Sequence, residues 1–194
     1  MKMSTARLTF MDSAISRTGL LWETVLVVGF ACLTAAFAQI SFWIGPVPIT
    51  GQTFAVLLTG ALLGSRRGAL SQLSYLAIGA TGIPYWFALG GPPGIARLVG
   101  PTGGYLIGFV VVAFLVGWLA ERGWDRRVWT AALAMLAGEA LLYVFGLLWL
   151  VRFVPGDMVL QVGLYPFIIG DLIKVTAAAL ILPSGWLLLR RFRN

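Results

Sequence analysis

The 194-residue sequence contains no histidine, one cysteine and only two lysines. Without histidine, imidazole catalysis and histidine metal ligation are excluded. The single cysteine, Cys32, cannot form an intrachain disulfide, and in its apolar run it reads as a small packing residue. Neither lysine, Lys2 or Lys174, follows a glycine-rich loop. The chain therefore has no phosphate-binding loop, and any ATP hydrolysis must belong to another chain. Charge is scarce too: 11% of residues are charged, against about 25% in soluble globular proteins. The N-terminal stretch lacks a compact apolar core followed by a small-residue cleavage site, so no removable signal peptide is expected.

What is present is apolar. Hydrophobic residues make up 59% of the chain and the mean hydropathy is +0.92, which defines an integral membrane protein. The net charge of +7 does not imply nucleic acid, because the basic residues sit at the ends of apolar segments. The expected fold is an all-α integral membrane protein of six transmembrane helices. Residues 1–19 form an N-terminal arm, and residues 20–194 form the six-helix membrane domain. The spans are expected near 20–40, 52–63, 69–83, 102–120, 128–150 and 165–189.

The second span is short for ~30 Å of hydrocarbon. Gly64 to Gly68 reads as a tight basic turn. Residues 41–52, with two prolines, form an ordered outer loop or one dipping into the membrane. Residues 84–101, rich in glycine, proline and aromatics, read either as a ligand-covering loop or as an interfacial anchor. Eleven basic residues flank one side: Lys2, Arg7, Arg17, Arg66, Arg67, Arg122, Arg126, Arg127, Arg190, Arg191 and Arg193. Only Arg97 and Arg152 flank the other. This asymmetry puts both termini in the cytoplasm and the three longer loops outside. On the first span, Ala31 and Ala35 are small residues four apart, suited either to packing within the bundle or to a close helix partner.

One stretch breaks the apolar pattern: Gly170-Asp171-Leu172-Ile173-Lys174, inside the last span. An acid or an amine costs about 2.5–3.5 kcal/mol at a helix centre. The two are three residues apart, so they share a helix face that must look into protein. They form either a structural ion pair or a recognition pair for a polar ligand. Lys174 lies about nine residues in from the outer surface, roughly 13 Å at 1.5 Å per residue. Glu139 and Tyr143 on the fifth span fall at similar depth. The four residues outline a polar chamber open to the outside, and an acid–amine pair suits a ureido or amide group. Asp171 and Glu139 could also serve an intramembrane enzyme, but no nucleophile or metal cluster accompanies them. An autonomous ion-coupled carrier for a small vitamin-like substrate is the alternative, although no inverted repeat is visible.

Several motifs resemble the BioY family. They are Val47-Pro48-Ile49-Thr50-Gly51-Gln52-Thr53-Phe54, Gly60 to Gly64, Gly82-Ile83-Pro84, Gly100 to Phe109, Tyr143 with Gly146 and Trp149, and Gly170 to Lys174. They run in this order from about residue 25 to 182. BioY proteins are biotin-binding S-components of energy-coupling factor (ECF) transporters. The resemblance implies an S-component-like bundle and high-affinity biotin capture in a prokaryotic inner (plasma) membrane. Its partners would be a transmembrane coupling subunit and two cytoplasmic ATPase subunits; self-association stays open. No cofactor, metal or enzymatic activity is expected, since biotin is the transported substrate. Asp171 and Lys174 match the family's biotin-contacting acid and lysine. Gln52, Tyr85, Gly104, Tyr105 and Tyr143 are further candidates for closing around biotin. Ala31 and Ala35 match the small-residue motif that contacts the coupling subunit. Glu139 departs from the family pattern and could pair with Lys174, and the loop from Tyr85 to Pro93 differs from the family's form. The resemblance predicts that Asp171→Asn severely weakens biotin binding by the purified chain, as measured by equilibrium titration.

Overall fold

The structure, a computed structural model, describes residues 9–14, 19–43 and 45–193. Most of the expected N-terminal arm, with Lys2, Arg7 and Arg17, lies outside the described residues, as does the side chain of Arg193.

A short helix α1 (Phe10–Ala14) precedes α2 (Leu20–Ala38). A two-stranded antiparallel hairpin follows, β1 (Ser41–Trp43) and β2 (Pro48–Thr50). Then come α3 (Gln52–Leu63), α4 (Ser65–Ala80), α5 (Ile95–Val99), α6 (Gly103–Ala120), α7 (Val128–Leu150), α8 (Val159–Gly163) and α9 (Ile168–Arg193). Among the described residues, four segments are long and apolar enough to cross a membrane: α2, α6, α7 and the segment containing α9.

Within the stretch 41–52, expected as an ordered outer loop or one dipping into the membrane, residues 41–50 pair into the hairpin, so the described chain is mostly but not wholly helical. The expected basic turn from Gly64 to Gly68 is smaller. A single residue, Gly64 at φ +85°, makes the turn, and α4 begins at Ser65. That φ favours glycine because it carries no Cβ. The Glu121 carboxylate crosses from the end of α6 and accepts bonds from the Ser65 amide and hydroxyl, both at 2.8 Å. It thereby satisfies a free N–H at the start of α4, where the helix dipole favours negative charge.

Helix α6 is the centre of the bundle and packs against α3, α4 and α7. Small residues make this possible. A Cβ placed on Gly60 of α3 would sit 2.5 Å from the Ala113 carbonyl oxygen of α6. Backbones in such near contact replace side-chain interdigitation with dispersion contacts between main chains. Helix α9 closes the bundle against α7 and α3. At the basic end, Arg67 pairs with Asp12 of α1 at 2.6 Å and Phe10 stacks edge-on to Trp186 of α9. Burial pushes the Asp12 carboxyl up, but bonds from Arg67 and Thr9 outweigh it, and the net shift is downward.

The two alanines expected as a docking face point inward. Ala31 is fully buried, Ala35 nearly so, and both belong to the bundle core. The outer face of α2 instead carries Gly29, Cys32 and Ala36, all exposed. Gly60→Val is expected to lower the thermal stability of the detergent-solubilised protein by about 2 kcal/mol or more, because the backbone at the α3–α6 crossing cannot yield. A fall of several degrees in Tm checks this.

Candidate functional site

Between α3, α6, α7 and α9, beneath the hairpin and the 84–101 segment, lies a narrow pocket lined by both apolar and polar side chains.

Its polar floor comes from three helices. Asp171 sits in the first turn of α9, where the helix dipole favours a carboxylate. The sequence placed this acid well inside a long span, whereas the helix starts only at Ile168. Lys174, one turn on, donates to Asp171 Oδ1 at 2.9 Å and to the Thr53 hydroxyl of α3 at 2.9 Å. Tyr143 of α7 donates its hydroxyl to Asp171 Oδ2. Asp171 is 7% exposed, so both its oxygens are engaged within a nearly dry site.

Arg97 of α5 enters from the loop side. It is 5% exposed and has no acidic partner among the described residues. It bonds weakly to the Gly90 carbonyl oxygen at 3.4 Å and lies over the Trp43 ring at 5.0 Å. Burial pulls its ionisation below the ordinary guanidinium value, a shift that Tyr75 opposes. It remains a cation, because arginine keeps its proton in proteins. Phe87, Phe109 and Phe167 supply apolar wall. The pocket thus holds one neutralised ion pair and one unpaired positive charge, flanked by aromatic surface.

Of the residues expected at the site, Asp171, Lys174, Tyr143, Gln52 and Tyr105 line this pocket. Gln52 does so with its amide already committed. Its Nε2 donates to the Tyr75 hydroxyl at 2.5 Å and the Phe87 carbonyl at 2.8 Å, and its Oε1 accepts from Thr50 at 2.8 Å. Tyr105 donates its hydroxyl to the Gly163 carbonyl at 2.7 Å. Gly104 is not among the lining residues; it packs against Trp149 and the Phe145 carbonyl at the α6–α7 crossing. Tyr85 also lies outside the lining. It is 62% exposed with φ +62°, and its carbonyl accepts a bond from Gln39 at 2.8 Å. Glu139 is buried but does not line the pocket and makes no ion pair with Lys174.

Sequence reasoning passed over Arg97 and Thr53. Arg97 was visible as the single charge in an otherwise uncharged glycine-, proline- and aromatic-rich segment. Thr53 stood next to Gln52 and became informative only once α3 met α9.

The geometry defines a helical membrane protein enclosing a site for a small, partly apolar ligand with polar groups. A profile of the BioY family matches residues 5–191. The chain is 43% identical over 159 residues to the "Probable biotin transporter BioY" of Pyrococcus horikoshii, covering 82% of this chain and 93% of that one. It is 40% identical over 154 residues to the "Biotin transporter BioY" of Thermotoga maritima, covering 78% and 88%. A crystal structure described as the S-component for biotin from an ECF-type ABC transporter superposes with a TM-score of 0.70 at 26% identity. It covers 89% of this chain and 91% of that chain. The chain belongs to the BioY family, which is a family of transporter components and not of enzymes.

Removing the donor that orients Asp171 should loosen the site. Tyr143→Phe is expected to destabilise the ligand-free protein by about 1–2 kcal/mol, since a buried carboxylate loses a bond. Thermal unfolding in detergent measures it.

Proposed function

We propose that this chain captures biotin with high affinity from the outer side of the membrane and mediates its uptake as the S-component of an ECF transporter. ATP hydrolysis by partner subunits drives transport. The partners are a transmembrane coupling subunit and two cytoplasmic ATPases, in the inner (plasma) membrane of a prokaryotic cell.

The observation that carries this reading is the pairing of a satisfied Asp171–Lys174 unit with an unpaired Arg97 in one pocket. Biotin presents a ureido ring with N–H and C=O groups side by side, an apolar fused thioether ring, and a carboxylate on an alkyl chain. Asp171 accepts the ureido N–H groups and Lys174 donates to the ureido carbonyl. The phenylalanines enclose the rings and chain. Arg97 takes the carboxylate, the group for which its planar fork of donors is suited. The names of the relatives support the same ligand.

All six of α2, α3, α4, α6, α7 and α9 cross the membrane in this reading, with both termini cytoplasmic. Helix α3 has 12 residues, about 18 Å at 1.5 Å per residue, so the hairpin above it completes the crossing. The coupling subunit docks on the outward face of α2 at Gly29, Cys32 and Ala36, because Ala31 and Ala35 are covered by the chain itself.

The purified chain is expected to bind biotin tightly and to prefer it over biotin amide by about tenfold or more, the scale of a charge-assisted bond. Arg97→Met should erase that preference while retaining weaker binding of both. Equal binding of acid and amide by the wild type would remove Arg97 from the site.

A further inference from the structure

Glu139 stands on α7, one turn before Tyr143. It is 5% exposed, yet neither of its carboxylate oxygens has a hydrogen-bond partner among the described residues. Most buried polar groups are bonded, so an empty pair of acceptors in a membrane helix calls for a role. The charges that act on it are Asp171 and Lys174, both on α9, which packs directly against α7.

Lys174 has three N–H donors and has used two, on Asp171 and Thr53. Of the two acids on α7 and α9 whose charges act with this lysine, Asp171 is engaged and Glu139 is empty. In the ligand-free protein each Asp171 oxygen already accepts one donor: Tyr143 donates to one and Lys174 to the other. A ligand bringing its own N–H donors competes with both for the same carboxylate. An ammonium pushed off Asp171 without a new partner would be strongly disfavoured in a dry site. Rotation about its aliphatic stem toward Glu139 keeps it paired.

We propose that Glu139 is a positioning residue, the second acceptor for the Lys174 ammonium, engaged when the N–H groups of a ureido ligand occupy Asp171. This rests on the reading of the pocket as a biotin site. The exchange breaks no covalent bond; the ammonium changes partner, and its third donor supplies the ligand carbonyl. Glu139 does not touch the ligand, so its contribution passes through Lys174.

The chain's lysine content makes this observable. With only Lys2 and Lys174 present, ¹⁵N-lysine labelling of the full chain gives two side-chain signals, and Lys2→Arg identifies the other as Lys174. Saturating biotin is expected to shift the Lys174 signal in the wild type. Glu139→Gln should leave the ligand-free Lys174 signal in place, displace the biotin-bound signal, and weaken biotin binding by about fivefold or more, as for residues sharing one polar network. Glu139→Asp should fall between the two, and it carries the same comparison if Glu139→Gln does not fold. A biotin-bound Lys174 signal that is identical in wild type and variant, or full affinity in Glu139→Gln, overturns the inference alone. Absence of biotin binding by the wild type overturns the functional reading and this inference with it.

Discussion

A carboxylate inside a membrane protein must be neutralised, and the Asp171 site is arranged around that demand. The start of α9 supplies the positive end of a helix dipole, Lys174 supplies a charge, and Tyr143 supplies a hydroxyl. Each contribution comes with a packing requirement. Lys174 reaches Thr53 only because α3 lies against α9, and Tyr143 reaches Asp171 only because α7 does. The relative placement of three helices is thus written into a handful of polar bonds. Around them packing is apolar, and glycine-mediated backbone contacts at α6 set the distances.

How much of this was legible in the sequence depended on the kind of signal. The Gly170 to Lys174 stretch announced itself because charge in an apolar run is costly, and the structure places both side chains in the pocket. The long helices α2, α6 and α7 followed from hydropathy nearly residue for residue. Three features were not legible. The hairpin at 41–50 depends on pairing across a proline-containing turn, which local propensity alone does not specify. The inward direction of Ala31 and Ala35 depends on which face of α2 meets α4, and a helix apolar on every side does not declare its buried face. Arg97 was counted as an outer charge, yet it is almost wholly buried, because the segment carrying it folds back over the pocket. Tyr85, in the same segment, was expected near the ligand, but it is exposed and does not line the pocket. Tyr85, in a run of three aromatics, and Arg97, in a helix of only five residues, have no periodicity by which to assign a face.

The polar network extends above the pocket floor. Thr50 at the end of β2, Gln52 at the start of α3, Tyr75 on α4 and the Phe87 carbonyl form one connected set. Trp43 donates to the Leu89 carbonyl at 2.7 Å, and Gln39 to that of Tyr85, so the hairpin side and the 84–94 segment are joined at three separate points. These bonds are side chain to main chain, so they hold a chain path without asking much of the sequence along it.

The committed amide of Gln52 bears on timing. Both of its donors are spent on groups that belong to the roof of the pocket or brace it, so under the proposed function a ligand leaving on that side would have to part them. The bonds that hold the roof would then act on residence time more than on initial capture, which separates two quantities that a single affinity merges. Under the proposed function, a subunit that keeps its cargo until a partner arrives would gain from a slow exit, and that slowness would be vested in a glutamine lining the pocket, not in Asp171 or Lys174.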